Sequence, residues 1–79
     1  MSDKVHLILK HRWYDMIESG EKLIEYRDAT EFYRKRLFGK KYVVLHRGYT
    51  STVITFKIVK IQLSKNHTTY ELYLGERVE

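Results

Sequence analysis

Three segments with two-residue alternation follow one another in the second half of the chain, with only short polar breaks between them. Residues 41–47, 52–63 and 69–74 alternate apolar and mostly polar side chains over most of their length, the pattern of a half-buried strand. The breaks are Gly48-Tyr49-Thr50-Ser51 and the polar run from Ser64 to His67. A parallel crossover needs a dozen or more residues, so these strands pair antiparallel. That argues against a doubly wound parallel sheet and points to a small curved sheet or open barrel.

The middle segment sharpens this. Its apolar parity runs Ile54, Phe56, Ile58 and then shifts to Val59, Ile61, Leu63. A shift of parity inside one strand marks a β-bulge or bend, the device by which a sheet curls. In the last segment Tyr70, Leu72 and Leu74 form the inward face, and in residues 41–47 Val43 and Leu45 oppose Tyr42, Val44 and His46.

The first half alternates strand and helix. Lys4 to Lys10 reads as a strand with Val5, Leu7 and Leu9 on one face. From His11 to Ser19 the period changes: Trp13, Met16 and Ile17 fall at i, i+3, i+4, with Gly20 placed as the left-handed residue past the helix end. Leu23 to Arg27 is extended. Asp28-Ala29-Thr30-Glu31 has capping-box spacing with Asp28 as N-cap, ahead of a second helix with Phe32, Tyr33 and Leu37 on one side and Gly39 as its stop. The expected order is strand, helix, strand, helix, strand, strand, strand: an α+β domain of five to six mostly antiparallel strands with two short helices.

At 79 residues this is one domain, spanning 1–79, near the size at which a single core just suffices. With no cysteine, neither disulfide nor thiolate metal site can supplement it, and no thiol nucleophile exists. The sequence has no run of about 18 apolar residues and no apolar N-terminal targeting segment; the expectation is a cytoplasmic protein with no membrane partner. Fifteen Lys and Arg against ten Asp and Glu leave a charge of +5, concentrated in Lys10-His11-Arg12, Arg34-Lys35-Arg36 and Lys40-Lys41. Such clusters favour polyanions, although cations near a helix C-terminus also suit its dipole.

Most familiar chemistry has no signature here. His6, His11, His46 and His67 lack zinc-ligand spacing, so no metal and no cofactor is expected, and no phosphate loop or hydrolase elbow occurs. What remains is Lys22, Glu25 and Arg27. In an extended segment Glu25 and Arg27 share a face about 7 Å apart, with Lys22 at its mouth. Such a trio is either the rim of a site or a solvated salt-bridge face.

Gly20-Glu21-Lys22-Leu23-Ile24-Glu25-Tyr26-Arg27 carries a G-x-K-x-x-E-x-R pattern that resembles the signature of the ASCH domain family, a branch of the PUA-like β-barrels. The preceding strand and helix with Trp13, Ile17 and Ser19, and the ending Tyr70-Glu71-Leu72-Tyr73-Leu74-Gly75, also resemble that family. The resemblance implies a compact PUA-like open barrel with a cleft beside the first helix, lined by the signature residues, and a role in RNA or nucleotide binding. It also implies an alternative, because one small bacterial branch hydrolyses acetylcytidine through its signature lysine. That branch carries a threonine where this chain has Glu25, and its further downstream glutamate has Glu71 as nearest candidate here.

The leading expectation is therefore an RNA- or nucleotide-binding module. Lys22 and Arg27 would hold phosphate or a base carbonyl, and Glu25 would orient Arg27 or accept from a base amino group. Trp13, His46, Arg47 and Tyr49 are candidate walls, aromatics there stacking on an unpaired base. The alternatives are a small nucleoside amidohydrolase, with Lys22 and Glu25 catalytic and Arg27 holding substrate, and a protein-interaction module without catalysis.

Overall fold

The elements form where local pattern and chain punctuation agree. In the computed structural model, which describes residues 3–78, β1 (Lys4–Leu9) buries alternate residues Val5, Leu7 and Leu9 and leads into α1 (His11–Glu18). Gly20, at φ 91°, takes the left-handed conformation that ends α1, and the chain enters β2 (Ile24–Asp28). α2 (Glu31–Leu37) follows, then β3 (Tyr42–Arg47), β4 (Val53–Leu63) and β5 (Thr69–Arg77). This is the order expected.

The strands form one curled, five-stranded sheet in the order β1-β3-β4-β5-β2. β1 and β3 are parallel, joined through both helices and β2; the other three pairings are antiparallel. β1 and β2 are thus the two edges of an open half-barrel. Its concave side holds Leu45, Ile54, Leu72 and Val43, which are fully enclosed, and Leu37 of α2 closes over them. Burying each such leucine contributes about 1.5–3 kcal/mol, which is how 76 described residues hold a core without cross-links.

The curl comes from β4. Ile58 pairs with Leu74 and Lys60 with Tyr73, so two residues of β4 oppose one of β5 and Val59 is the extra one. The expected parity shift is present, with one correction: Val59 bulges outward and is exposed, and the inward series resumes at Ile61. Gly75 lies beneath the bulge, where a Cβ would meet Val59 Cγ2 at 2.8 Å. A larger residue there would require the Val59 side chain to shift.

Three helix expectations also change. The N-cap of α2 is Thr30, whose hydroxyl accepts from the Tyr33 amide at 3.2 Å; Asp28 belongs to β2 and does not cap. The inward residues of α1 are Tyr14 and Ile17, with Trp13 half-buried beside them. On α2, Leu37 is buried and Tyr33 partly so, but Phe32 faces solvent. A seven-residue helix on a small sheet has room to bury one stripe only.

Candidate functional site

Residues of β2 paired across the sheet share a face, and Glu25 pairs with Leu72 and Arg27 with Tyr70. Both polar side chains therefore point to the core side, at the open seam between the edge strands. The Glu25 side chain is only 6% exposed, and its two cations are 18% exposed. It is a buried ion triad, not the solvated ion pair that spacing alone also allowed. Lys22 Nζ donates to Glu25 Oε1 at 3.1 Å and Arg27 Nε donates to Oε2 at 3.0 Å, with Arg27 Nη2 in ion-pair contact with the same oxygen at 2.9 Å.

Arg27 does more than pair. Its Nη2 also donates to the backbone carbonyl of Ile8 on β1 at 3.0 Å, and its Nη1 to the Tyr33 hydroxyl of α2 at 3.3 Å. One side chain thus ties both sheet edges and α2 together. A guanidinium has five N–H groups, and these three hydrogen bonds leave one on Nη1 and one on Nη2. Arg36 of α2 makes a similar link to the carbonyl of His6 at 2.8 Å. Lys22 keeps two ammonium hydrogens beyond its bond to Glu25. It stands 5.0 Å from the Trp13 ring centre and 5.7 Å from that of Tyr26, in cation–π range.

Three grooves run from this seam. The first, about 350 Å³, lies between Tyr26, Arg27, Asp28, Tyr33 and Thr69. The second, about 450 Å³, shares Arg27 and Tyr33 with the first and is walled by Ile8, Phe32, Arg36 and Tyr49. His6 and Arg36 then continue into a third, about 290 Å³, where Lys4, Lys35 and Lys40 join them. The fold thus brings two of the basic clusters to one face, while Arg12 of the other stacks over Trp13 at 4.5 Å.

Of the residues singled out by sequence, Lys22, Glu25, Arg27 and Trp13 come together, and Tyr49, a residue 94% exposed, lines the second groove. His46 and Arg47 are engaged elsewhere. His46 shares a hydrogen bond of 2.9 Å with His6 on the neighbouring strand. Arg47 makes a two-pronged bond to Asp15 of α1, at 2.9 and 3.0 Å, which fastens the helix to the end of β3 and holds the Asp15 carboxyl below its usual range. Burial pushes the phenol of neighbouring Tyr14 up.

Sequence reasoning did not single out Tyr33, Phe32 or Asp28 as site residues, and reached Arg36 only as a member of the Arg34-Lys35-Arg36 cluster that favours polyanions. The available signal was the helix itself: Phe32, Tyr33 and Arg36 are spaced to present two faces of one turn. Asp28 was taken up in a capping role that Thr30 fills. Glu71, the nearest candidate for a second acid, lies on the opposite sheet face. There it accepts from Tyr73, whose phenol is raised by that bond, and from Gln62. Among the described residues, no three His, Cys, Asp or Glu side chains gather as a metal site. No helix among them is long and apolar enough to cross a membrane. Compared with models of known protein families and with curated protein sequences, the chain matches none.

Proposed function

We propose that this protein binds single-stranded RNA or a nucleotide along the grooves at the seam of its half-barrel, as an ASCH-like, PUA-like module. The observation that carries this reading is the second groove. It sets the exposed rings of Phe32 and Tyr49 beside the guanidinium groups of Arg27 and Arg36, in a volume of about 450 Å³. Pockets of this size hold small ligands, and alternating ring and cation is what an unpaired base and its phosphate require.

The roles follow from the bonding capacity left over. Arg27 has three of its five N–H groups engaged, so it offers two N–H groups and a positive charge. Arg36 and the Lys4, Lys35 and Lys40 flank supply phosphate contacts that do not depend on sequence. Glu25 holds Lys22 and Arg27 in place; it is an orienting group. Lys22, on the Trp13 face, donates toward a carbonyl or phosphate with its two remaining hydrogens.

The test is titration of short single-stranded RNA at low and moderate salt. Affinity should fall steeply with salt, and Tyr49→Ala should weaken binding by about fivefold or more, the loss of one stacking contact. Absence of binding at low salt refutes the reading. Release of cytidine from acetylcytidine that disappears in Lys22→Ala would replace it with the amidohydrolase alternative.

A further inference from the structure

We infer that the site reads a two-nucleotide step, one base in each of the first two grooves, and that Asp28 selects a base bearing an exocyclic amino group in the first. This rests on the RNA-binding reading above and adds its footprint and its specificity. The two grooves are not separate sites, because Arg27 and Tyr33 line both. Each has its own exposed ring: Tyr26 in the first, Phe32 and Tyr49 in the second. A positive charge at the shared wall, with a stacking surface on either side, fits a phosphate linking two bases. A lone nucleotide would leave one compartment empty.

The two compartments differ in chemistry. The second groove adds Arg36 and no acid, while the first holds the Asp28 carboxylate facing Thr69 across the β2–β5 pairing. Asp28 makes no side-chain hydrogen bond or ion pair among the described residues, because Thr30 has taken the N-cap of α2. An acceptor with no partner repels phosphate and accepts from an amino group. A carboxylate takes the N4 amino group of cytosine, where uracil offers only a carbonyl. Glu25 cannot serve this purpose, since both of its oxygens are occupied in the buried triad.

The experiment measures binding of CMP, CpC and UpU by calorimetry at low salt, with the intact protein and with Asp28→Ala and Asp28→Asn. CpC should bind at least about fivefold more tightly than CMP, the gain from a second stacked base. It should exceed UpU by about fivefold or more, as for one base-edge contact. Asp28→Ala should bring CpC down to the level of UpU. Asp28→Asn, whose amide both donates and accepts, should raise UpU toward CpC while circular dichroism reports the fold. CMP binding as tightly as CpC overturns the two-base footprint, and equal affinity for CpC and UpU overturns the role of Asp28. Both outcomes leave RNA binding itself standing; only failure of all three probes to bind removes the underlying reading.

Discussion

Replacing Glu25 with Gln tests the central triad most directly. The shape of the side chain is kept, but Lys22 and Arg27 lose their shared counter-charge in a seam where Glu25 is 6% exposed. Removing one partner of a fully buried ion pair costs about 3–5 kcal/mol. Here the two cations retain 18% exposure, so water recovers part of the loss. The expected cost is then about 2–3 kcal/mol. A domain of 79 residues has a total stability of roughly 4–12 kcal/mol, so this is a large share. At about 4–8 °C per kcal/mol for a domain of this size, the thermal midpoint should drop by roughly 10–20 °C. Urea denaturation should show a lower midpoint with an unchanged slope, since the surface exposed on unfolding is the same. Adding Lys22→Met to Glu25→Gln removes one of the stranded charges and should recover part of the loss, a coupling between neighbouring sites. A drop below about 3 °C, well under 1 kcal/mol on that scale, would refute the triad as a buried network and return it to an ordinary surface pair.

Further outcomes follow from other parts of the fold. Thr30→Ala should cost about 1 kcal/mol by loss of the N-cap, while Asp28→Ala should stay within about 0.5 kcal/mol as an exposed surface change; paired urea curves separate the two. Leu72→Ala, at a fully enclosed position, should cost about 2–5 kcal/mol, read by the same curves. The carboxyls of Asp15 and Glu31 are held below their ordinary values of 3.8 and 4.5 by Arg47 and Arg34. The unfolded chain therefore takes up protons first as pH falls. Their stabilising contribution is present above those ordinary values and is lost as pH drops through the lowered ones. Thermal midpoints should decline along that acid limb, less so in Asp15→Asn.

The sheet was legible from sequence because alternation and turn length leave few choices. Three strands joined by short breaks have to be antiparallel, and the parity change in residues 52–63 announces the bulge. Val59 shows where pattern stops being informative: at a bulge, one apolar residue is turned out, and hydrophobicity alone does not say which. The site was half legible. Lys22, Glu25 and Arg27 lie close in sequence, so local geometry brought them together, whereas Tyr33 and Arg36 reach the seam only because α2 docks across it. His46 and Arg47 share a strand end with the turn that carries Tyr49. Their engagement with His6 and Asp15 depends on β1 and α1 lying alongside, a relation that single-residue patterns do not encode. Asp28 and Thr30 both suit an N-cap, and the pairing of Asp28 with Thr69 in the sheet decides between them.

The bonds from Arg27 to Ile8 and from Arg36 to His6 have a further consequence. β1 is an edge strand, and the outward carbonyls of its alternate residues are a template on which another chain can add a strand. Two guanidinium groups occupy that template. The same two groups face the groove where an anion would be drawn in, so grip on a ligand and protection of the edge are not independent traits. Substituting either arginine to weaken the proposed binding also unmasks main chain, and the variant should associate with itself. A variant made to grip harder by freeing Arg36 from His6 would carry the same liability. Sedimentation of Arg36→Ala at rising concentration measures how closely the two are bound together.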